Sequence, residues 1–412
     1  MPETARRTPS GLFERLARCN TEPDSLQPLR EAAQLALQVE FATIPPYLTA
    51  LYSITDKSSK AYKALRSVAI EEMFHCNQAA NIIVALGALP KFTGDAAPIY
   101  PTYLPKANPE NTPFIGLNRA SIQVFNDVFS EIENPAPAGA PAQGNCYDTI
   151  AQLYDALVEA VKAYPGNPFE HKNSKGRQRT DIYIGSGGGD AIEVVDKESF
   201  YKAVNEIVKQ GEGSVPVGKP LVPVEPFGAY NHYGQRTDGT YGPILGTPYE
   251  LSHFIKFRQV ALDTANFPNV LPIISNPGDK TYENEKAEKL ALAFDRAYSI
   301  MLNAFERVFE AGVTPELYFG FVLNIMHGML PNLALSLMAT PAFEHGNGSV
   351  GPNATPRWLY KPNVRFSQLN QEIQQQIDRL SASDDDSAIR GPLQTAFESV
   401  QEINATAESL GL

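Results

Sequence analysis

The chain has 412 residues, 43% of them hydrophobic and 19% charged, which is enough apolar mass for one large folded domain or for two or three average ones. With 34 Lys and Arg against 46 Asp and Glu, the net charge is −12. An acidic surface of that size argues against nucleic acid or an anionic membrane as the main partner. Three cysteines (Cys19, Cys76 and Cys146) are too few for a disulfide framework, and no two lie at metal-ligand spacing. The stretch MPETARRTPSGLFERLARCN has no apolar leader pattern, so a cytoplasmic location is expected.

Residues 26–54 read as a long helix with Leu29, Ala33, Ala36, Glu40, Thr43 and Tyr47 on one face. Pro45 and Pro46 fall inside it and remove two backbone donors, so a kink or a division just after Thr43 is expected. A second helix over 58–87 opens at a Ser58–Ser59 cap and closes at Gly87 and Pro90. Its inner face carries Val68, Glu72, His75, Ala79, Ile82 and Leu86.

Proline-rich connections then flank helical patterns at 119–133 and 147–164. The segments TDIYIG (180–185) and IEVVD (192–196) read as a short β pair around a glycine-rich turn. Helices return at 197–212 and 248–263, separated by a Gly/Pro/Tyr-rich loop of a length that favours a function. Further helices are expected at 282–311, 315–339, 368–381 and 388–410. From Leu317 to Phe343 there is no charged residue, long enough to span a bilayer. Asn324, His327, Pro331 and Asn332 inside it favour instead a central helix buried on all sides.

Two of the six histidines have a glutamate three residues before them: Glu72-Met-Phe-His75 and Glu250-Leu-Ser-His253. Side chains at i and i+3 share a helix face and can bind one metal together. A carboxylate-bridged dimetal bundle needs such a pair on two helices and a single Glu on each of two others. Glu40, flanked by Leu37, Phe41 and Ile44, and Glu212, at the end of the third helix, supply those. The expected ligands are therefore Glu40, Glu72, His75, Glu212, Glu250 and His253, in the chain order of a ferritin-like four-helix bundle. Residues 1–265 would form that bundle, with a long insertion (90–196) between its second and third helices, and 266–412 a helical extension packed on it. Glu212 has glycine on both sides, so a plain C-terminal cap is the competing reading for it. Glu71 points about 100° away from Glu72 and is read as a surface or outer carboxylate.

Four stretches resemble a known family: QVEFATIPPYL (38–48), EEMFHCNQAANI (71–82), IVKQGEGS (207–214) and YELSHFIKFRQ (249–259). Together they are similar to the ferritin-like domain of the iminophenyl-pyruvate dimer synthase type, which also occurs in proteins of violacein-like pigment pathways. The resemblance implies the same six ligand positions.

Four ionised carboxylates facing inward need cations, and an oxygen and nitrogen donor set without thiolate favours two iron ions, with manganese or a mixed pair as alternatives. The leading expectation is a non-haem di-iron oxidase or oxygenase of specialised metabolism using O2 on a small molecule. Thr43 and Tyr47, beyond Glu40 on its face, are the expected catalytic residues, with Phe257 as an apolar wall. Lys256 and Arg258 read as exposed helix charges or as binders of a substrate carboxylate. A second expectation keeps the fold and drops oxygen: metal-dependent coupling of imine or keto-acid molecules. Iron storage ranks third. Expected partners are the substrate, O2, an external electron donor (there is no nicotinamide or flavin fingerprint) and a second copy of the chain as a homodimer. Met301, Met326, Met329 and Met338 read as core, and His327 as a core histidine or an outer group near the metals.

Overall fold

A computed structural model describes residues 11–18, 26–134, 146–169, 174, 176–181, 191–211, 252–279, 281–348, 350–380 and 387–410. Helix α1 (Leu12–Leu16) precedes two long helices, α2 (Leu26–Ser53) and α3 (Lys60–Ala85), which pack along each other as the most extensive helix pair. Helix α4 (Ile122–Ile132) contains a π-helical turn at Phe125–Phe129. It is followed by α5 (Ile150–Ala163), α6 (Lys197–Gln210) and α7 (His253–Leu262). The C-terminal part comprises α8 (Glu285–Arg307), α9 (Leu317–Met338), α10 (Phe366–Leu380) and α11 (Ser387–Leu410). The fold is mostly helical; the described residues hold no strand, only isolated bridges such as Ile54 with Val270. Residues 192–195, expected as half of a β pair, are irregular. Residues 182–185 of the other half lie outside the described residues.

Helix α2 is not divided at its two prolines. Pro46 cannot donate to the carbonyl of Ala42 four residues earlier, which would leave a buried acceptor unpaired. The Tyr100 hydroxyl, reaching in from the connection after α3, donates to that carbonyl at 2.7 Å. One of the two backbone bonds lost to the prolines is thus replaced by a tertiary hydrogen bond that the local sequence does not contain.

Around α2 and α3 sit two smaller pairs. Helix α4 packs on α7, and α5 packs on α6 and on α2. The first pair is fastened to α2 by aromatic rings: Tyr47 lies 4.8 Å from Phe129 and 5.1 Å from Phe257, and Phe129 lies 5.4 Å from Phe257, centroid to centroid. Such edge-to-face contacts between large buried side chains fix the angle at which α4 arrives. The segment 90–196, expected as a crossover, therefore supplies two of the helices that surround the centre.

Helices α8 to α11 pack mainly on one another and meet the first part of the chain along α2. The Trp358 indole donates to the Thr49 hydroxyl at 2.9 Å, and Tyr298 lies 6.4 Å from Phe41. Helix α9 is the charge-free segment; its 22 residues are long and apolar enough to cross a membrane, and 56% of its most apolar window is buried in the protein. It packs on α8 and α11. It is not buried on all sides, since Phe319 remains 41% exposed.

Candidate metal centre

Five side chains from four helices converge between α2 and α3: Glu40 of α2, Glu72 and His75 of α3, Glu133 at the end of α4, and His253, the first residue of α7. All five are buried. One atom each from Glu40, Glu72 and His75 lies within 4.8 Å of the others, and so does one each from Glu72, Glu133 and His253. The two triads share Glu72.

The sharing is specific to its two oxygens. His75 Nδ1 lies 3.4 Å from Glu40 Oε2 and 3.7 Å from Glu72 Oε2. His253 Nδ1 lies 2.9 Å from Glu72 Oε1 and 3.5 Å from Glu133 Oε2. The two imidazoles stack at 5.4 Å with an angle of 25° between their planes.

The outer atom of each group is already engaged. His75 Nε2 meets Gln210 Oε1 at 2.8 Å, and His253 Nε2 meets Glu71 Oε2 at 2.7 Å. Both partners are acceptors, so the proton belongs on Nε2 and the Nδ1 lone pair points inward. Tyr154 donates to Glu40 Oε1 and Tyr47 to Glu133 Oε1, each at 2.7 Å. Each end carboxylate thereby keeps its other oxygen for the centre.

Electrostatics follow from placing these charges out of water. Burial, reinforced by Glu133 and Glu40, pushes the Glu72 carboxyl up to about 7. Burial alone would lower His75, but hydrogen bonds and charge from Glu40 and Glu72 overcome it and raise the imidazole to about 10. His253 is likewise held well above its ordinary value against its burial, by Glu133, Glu71 and Glu72. Burial opposes ionisation of Glu40, yet His75 outweighs it and lowers that carboxyl. The Tyr47 and Tyr154 phenols are pushed well up, by burial first and then by Glu133 and Glu40 respectively, and remain donors.

Left to itself, the cluster makes up its missing positive charge with protons. Glu72 Oε2 and His253 Nδ1 are buried without a hydrogen-bond partner, although nearly all buried polar atoms in proteins are paired. Two inward nitrogen lone pairs and three inward carboxylates, with no donor among them, suit divalent cations. The residues present fit a pair of metal ions, and no thiolate competes, since Cys76 is buried with its thiol pushed well up by burial and by Glu40 and Glu72.

Of the residues expected from sequence, Glu40, Glu72, His75 and His253 come together here. Glu212 and Glu250 lie outside the described residues. Helix α7 begins at His253, with the Ser252 side chain as its N-cap, five residues later than the expected start at 248. The Gly211 carbonyl accepts from the His253 amide at 2.9 Å, which brings the end of α6 to the start of α7 beside the centre. Tyr47 reaches the centre through Glu133. Thr43 is buried and donates to the Glu40 carbonyl at 2.7 Å, one turn back along α2.

The structure also assigns roles to Glu133, Glu71 and Lys256. Glu133, 1% exposed, was not among the candidates; the signal lay in Phe125 and Phe129, which place position 133 on the apolar face of its helix. Of the two readings of Glu71, the outer carboxylate is the one seen: it is buried behind His253, accepts from Ser67 and holds Lys256 Nζ at 2.7 Å from both of its oxygens. Lys256 itself is 2% exposed, so it is neither a surface charge nor open to a substrate. Arg258 meets the Asn126 side chain, and His327 lies away from the centre, on a cavity described below.

A Ferritin-like family profile matches residues 33–262 of this chain. The crystal structure of a ferritin-like protein from Caulobacter vibrioides is similar, with a TM-score of 0.52 and 19% identity, over 72% of this chain and 93% of that one. At that identity the likeness is one of fold. No curated protein matches the chain.

Proposed function

The chain belongs to the Ferritin-like family, and from that membership and the shared Glu72 we propose a non-haem dimetal oxidase or oxygenase that uses O2 on a small molecule. The observation that carries this reading is the pair of buried triads with one carboxylate in common. Glu40 and His75 would hold one ion, Glu133 and His253 the other, and Glu72 both. Glu212 and Glu250 join the set as further carboxylates on the strength of the sequence resemblance. Two iron ions, or manganese or a mixed pair, would supply the electrons for O2 chemistry when bound.

The chain's own contribution is orientation and the exclusion of water. Tyr154 and Tyr47 hold the end carboxylates, while Gln210 and Glu71 hold the imidazoles. Thr43 and Tyr47 enter as the polar groups of α2 on its metal-facing side. The space left among Glu40, Glu72, His75, Glu133 and Tyr154 is about 10 Å³, close to the room one water-sized molecule needs.

Anaerobic loading with Fe(II) followed by O2 in an oxygen electrode tests the proposal. Uptake in proportion to bound iron, absent from Glu72→Ala, is the expected result. The four stretches similar to the iminophenyl-pyruvate dimer synthase type favour a second reading, non-oxidative coupling of imine or keto-acid substrates. Under that reading a metal-loaded protein takes up no O2 and turns such substrates over without it.

A further inference from the structure

On the far side of α2 and α3 from the metals lies a second and much larger space. It has a volume of about 350 Å³, within the range of small-molecule sites. Its floor is Phe41, Ile44, Pro45 and Leu48 of α2 with Met73 and Cys76 of α3; its roof comes from α8 and α9. Successive helix positions turn by about 100°, so Phe41 and Met73 sit about 100° around from Glu40 and Glu72 and Pro45 about 140° from Glu40, while Ile44 and Cys76 lie nearer the metal-facing side. None of the five metal-facing side chains lines it.

Three observations say that this space is a site and not a packing fault. First, two buried polar atoms on its walls, the Tyr298 hydroxyl and Asn77 Oδ1, have no hydrogen-bond partner. Asn77 Nδ2 is used, donating to the Arg179 carbonyl at 3.0 Å, so only its acceptor is open. Leaving such atoms unpaired forfeits their hydration without a replacement bond, and an apolar void would normally be filled by larger side chains. Second, α9 carries two π-helical turns, Leu317–Val322 and Ile325–Met329, at the stretch that lines the space through Tyr318, Phe319, Met326 and His327. Such widened turns concentrate at functional sites. Third, the space has a mouth, where Phe319 on its wall is 41% exposed.

We propose that this cavity binds a neutral, mainly apolar small molecule that carries a hydroxyl or comparable group. The aromatic and thioether walls take the apolar body, and Met73, Met301 and Met326 adapt to its outline. The Tyr298 hydroxyl and Asn77 Oδ1 supply one donor-or-acceptor and one acceptor. The two basic groups on the wall, Arg66 and His327, have partners of their own, and every other residue of the lining is uncharged. The site stands independently of the metal chemistry, since it shares no residue with it.

Calorimetric titration of the full-length, metal-loaded protein with 2-naphthol and with naphthalene tests this. One saturable site per chain is expected, with 2-naphthol binding about tenfold tighter, the worth of one buried hydrogen bond. Tyr298→Phe should remove most of that preference. Met326→Trp and Leu323→Phe, both half-buried positions of α9, should weaken both ligands at least tenfold by filling the space, with metal content unchanged. Absence of saturable binding, or equal binding by wild type and by the folded filled variants, overturns the proposal. If one variant fails to fold, the other and Tyr298→Phe still decide.

Discussion

The two halves of the candidate metal centre are built alike but braced differently. Each has an imidazole with Nδ1 inward, an end carboxylate held by a tyrosine, and one oxygen of Glu72. Behind His75 stands a neutral amide, Gln210; behind His253 stands a carboxylate, Glu71, itself locked to the buried Lys256. The chain thus invests a complete buried ion pair in one half only. A carboxylate behind a metal-bound imidazole raises its basicity more than an amide does, so the two metal positions should differ in affinity and in the electron density they receive.

The largest effect should come from the ion pair. Glu71→Leu takes from the buried Lys256 the carboxylate that holds it, and should cost about 3–5 kcal/mol in chemical denaturation. Gln210→Leu removes only hydrogen bonding and should cost about 1–3 kcal/mol. Equal costs would mean that the two braces are equivalent. Next in size is metal affinity: Glu71→Gln should weaken one of two ions about 10–100-fold, read as a split in the binding isotherm that wild type lacks or shows less.

A smaller effect, of about tenfold per pH unit for each proton displaced, should appear in the pH dependence of metal binding. In the cation-free centre Glu72 is raised to about 7 and His75 to about 10. Both bind more protons folded than unfolded, so without metal their contribution to stability falls as pH rises from about 4.5 to 10. Metal must displace those protons, so affinity and the gain in Tm on metal loading should increase with pH over the same window. Proton release measured in buffers of different ionisation enthalpy checks this; no release at pH 7 contradicts it. The smallest effect should come from Tyr47→Phe and Tyr154→Phe, each about 0.5–1.5 kcal/mol or less than about tenfold in metal affinity, and of similar size in both halves.

Much of this centre was legible in the sequence, and the misses have physical causes. Glu40 and the Glu72/His75 pair were visible because a charged residue on an apolar helix face at the correct spacing needs a partner. Glu133 was not, since it has no histidine beside it and sits at a helix end in Ser-Glu-Ile-Glu-Asn-Pro, where acidic residues usually face water. Phe125 and Phe129, eight and four residues before it with a π-helical turn between them, mark its face as the apolar one. Lys256 and Glu71 each look like surface charges on their own helices; only the packing of α7 on α3 pairs them. The positions of the helices are legible in the sequence, because apolar periodicity is local. The bond that satisfies the Ala42 carbonyl at the prolines of α2 was not legible, because it comes from Tyr100.

The central claim is that two ions share Glu72. Elemental analysis of iron and manganese per folded chain, in wild type beside Glu72→Ala, Glu40→Ala and Glu133→Ala, tests it most directly. The account predicts about two ions in wild type, about one in each end-carboxylate variant, and close to none in Glu72→Ala. Loss of a single ion in Glu72→Ala, or retention of both, would contradict a shared carboxylate and with it the dimetal centre described here.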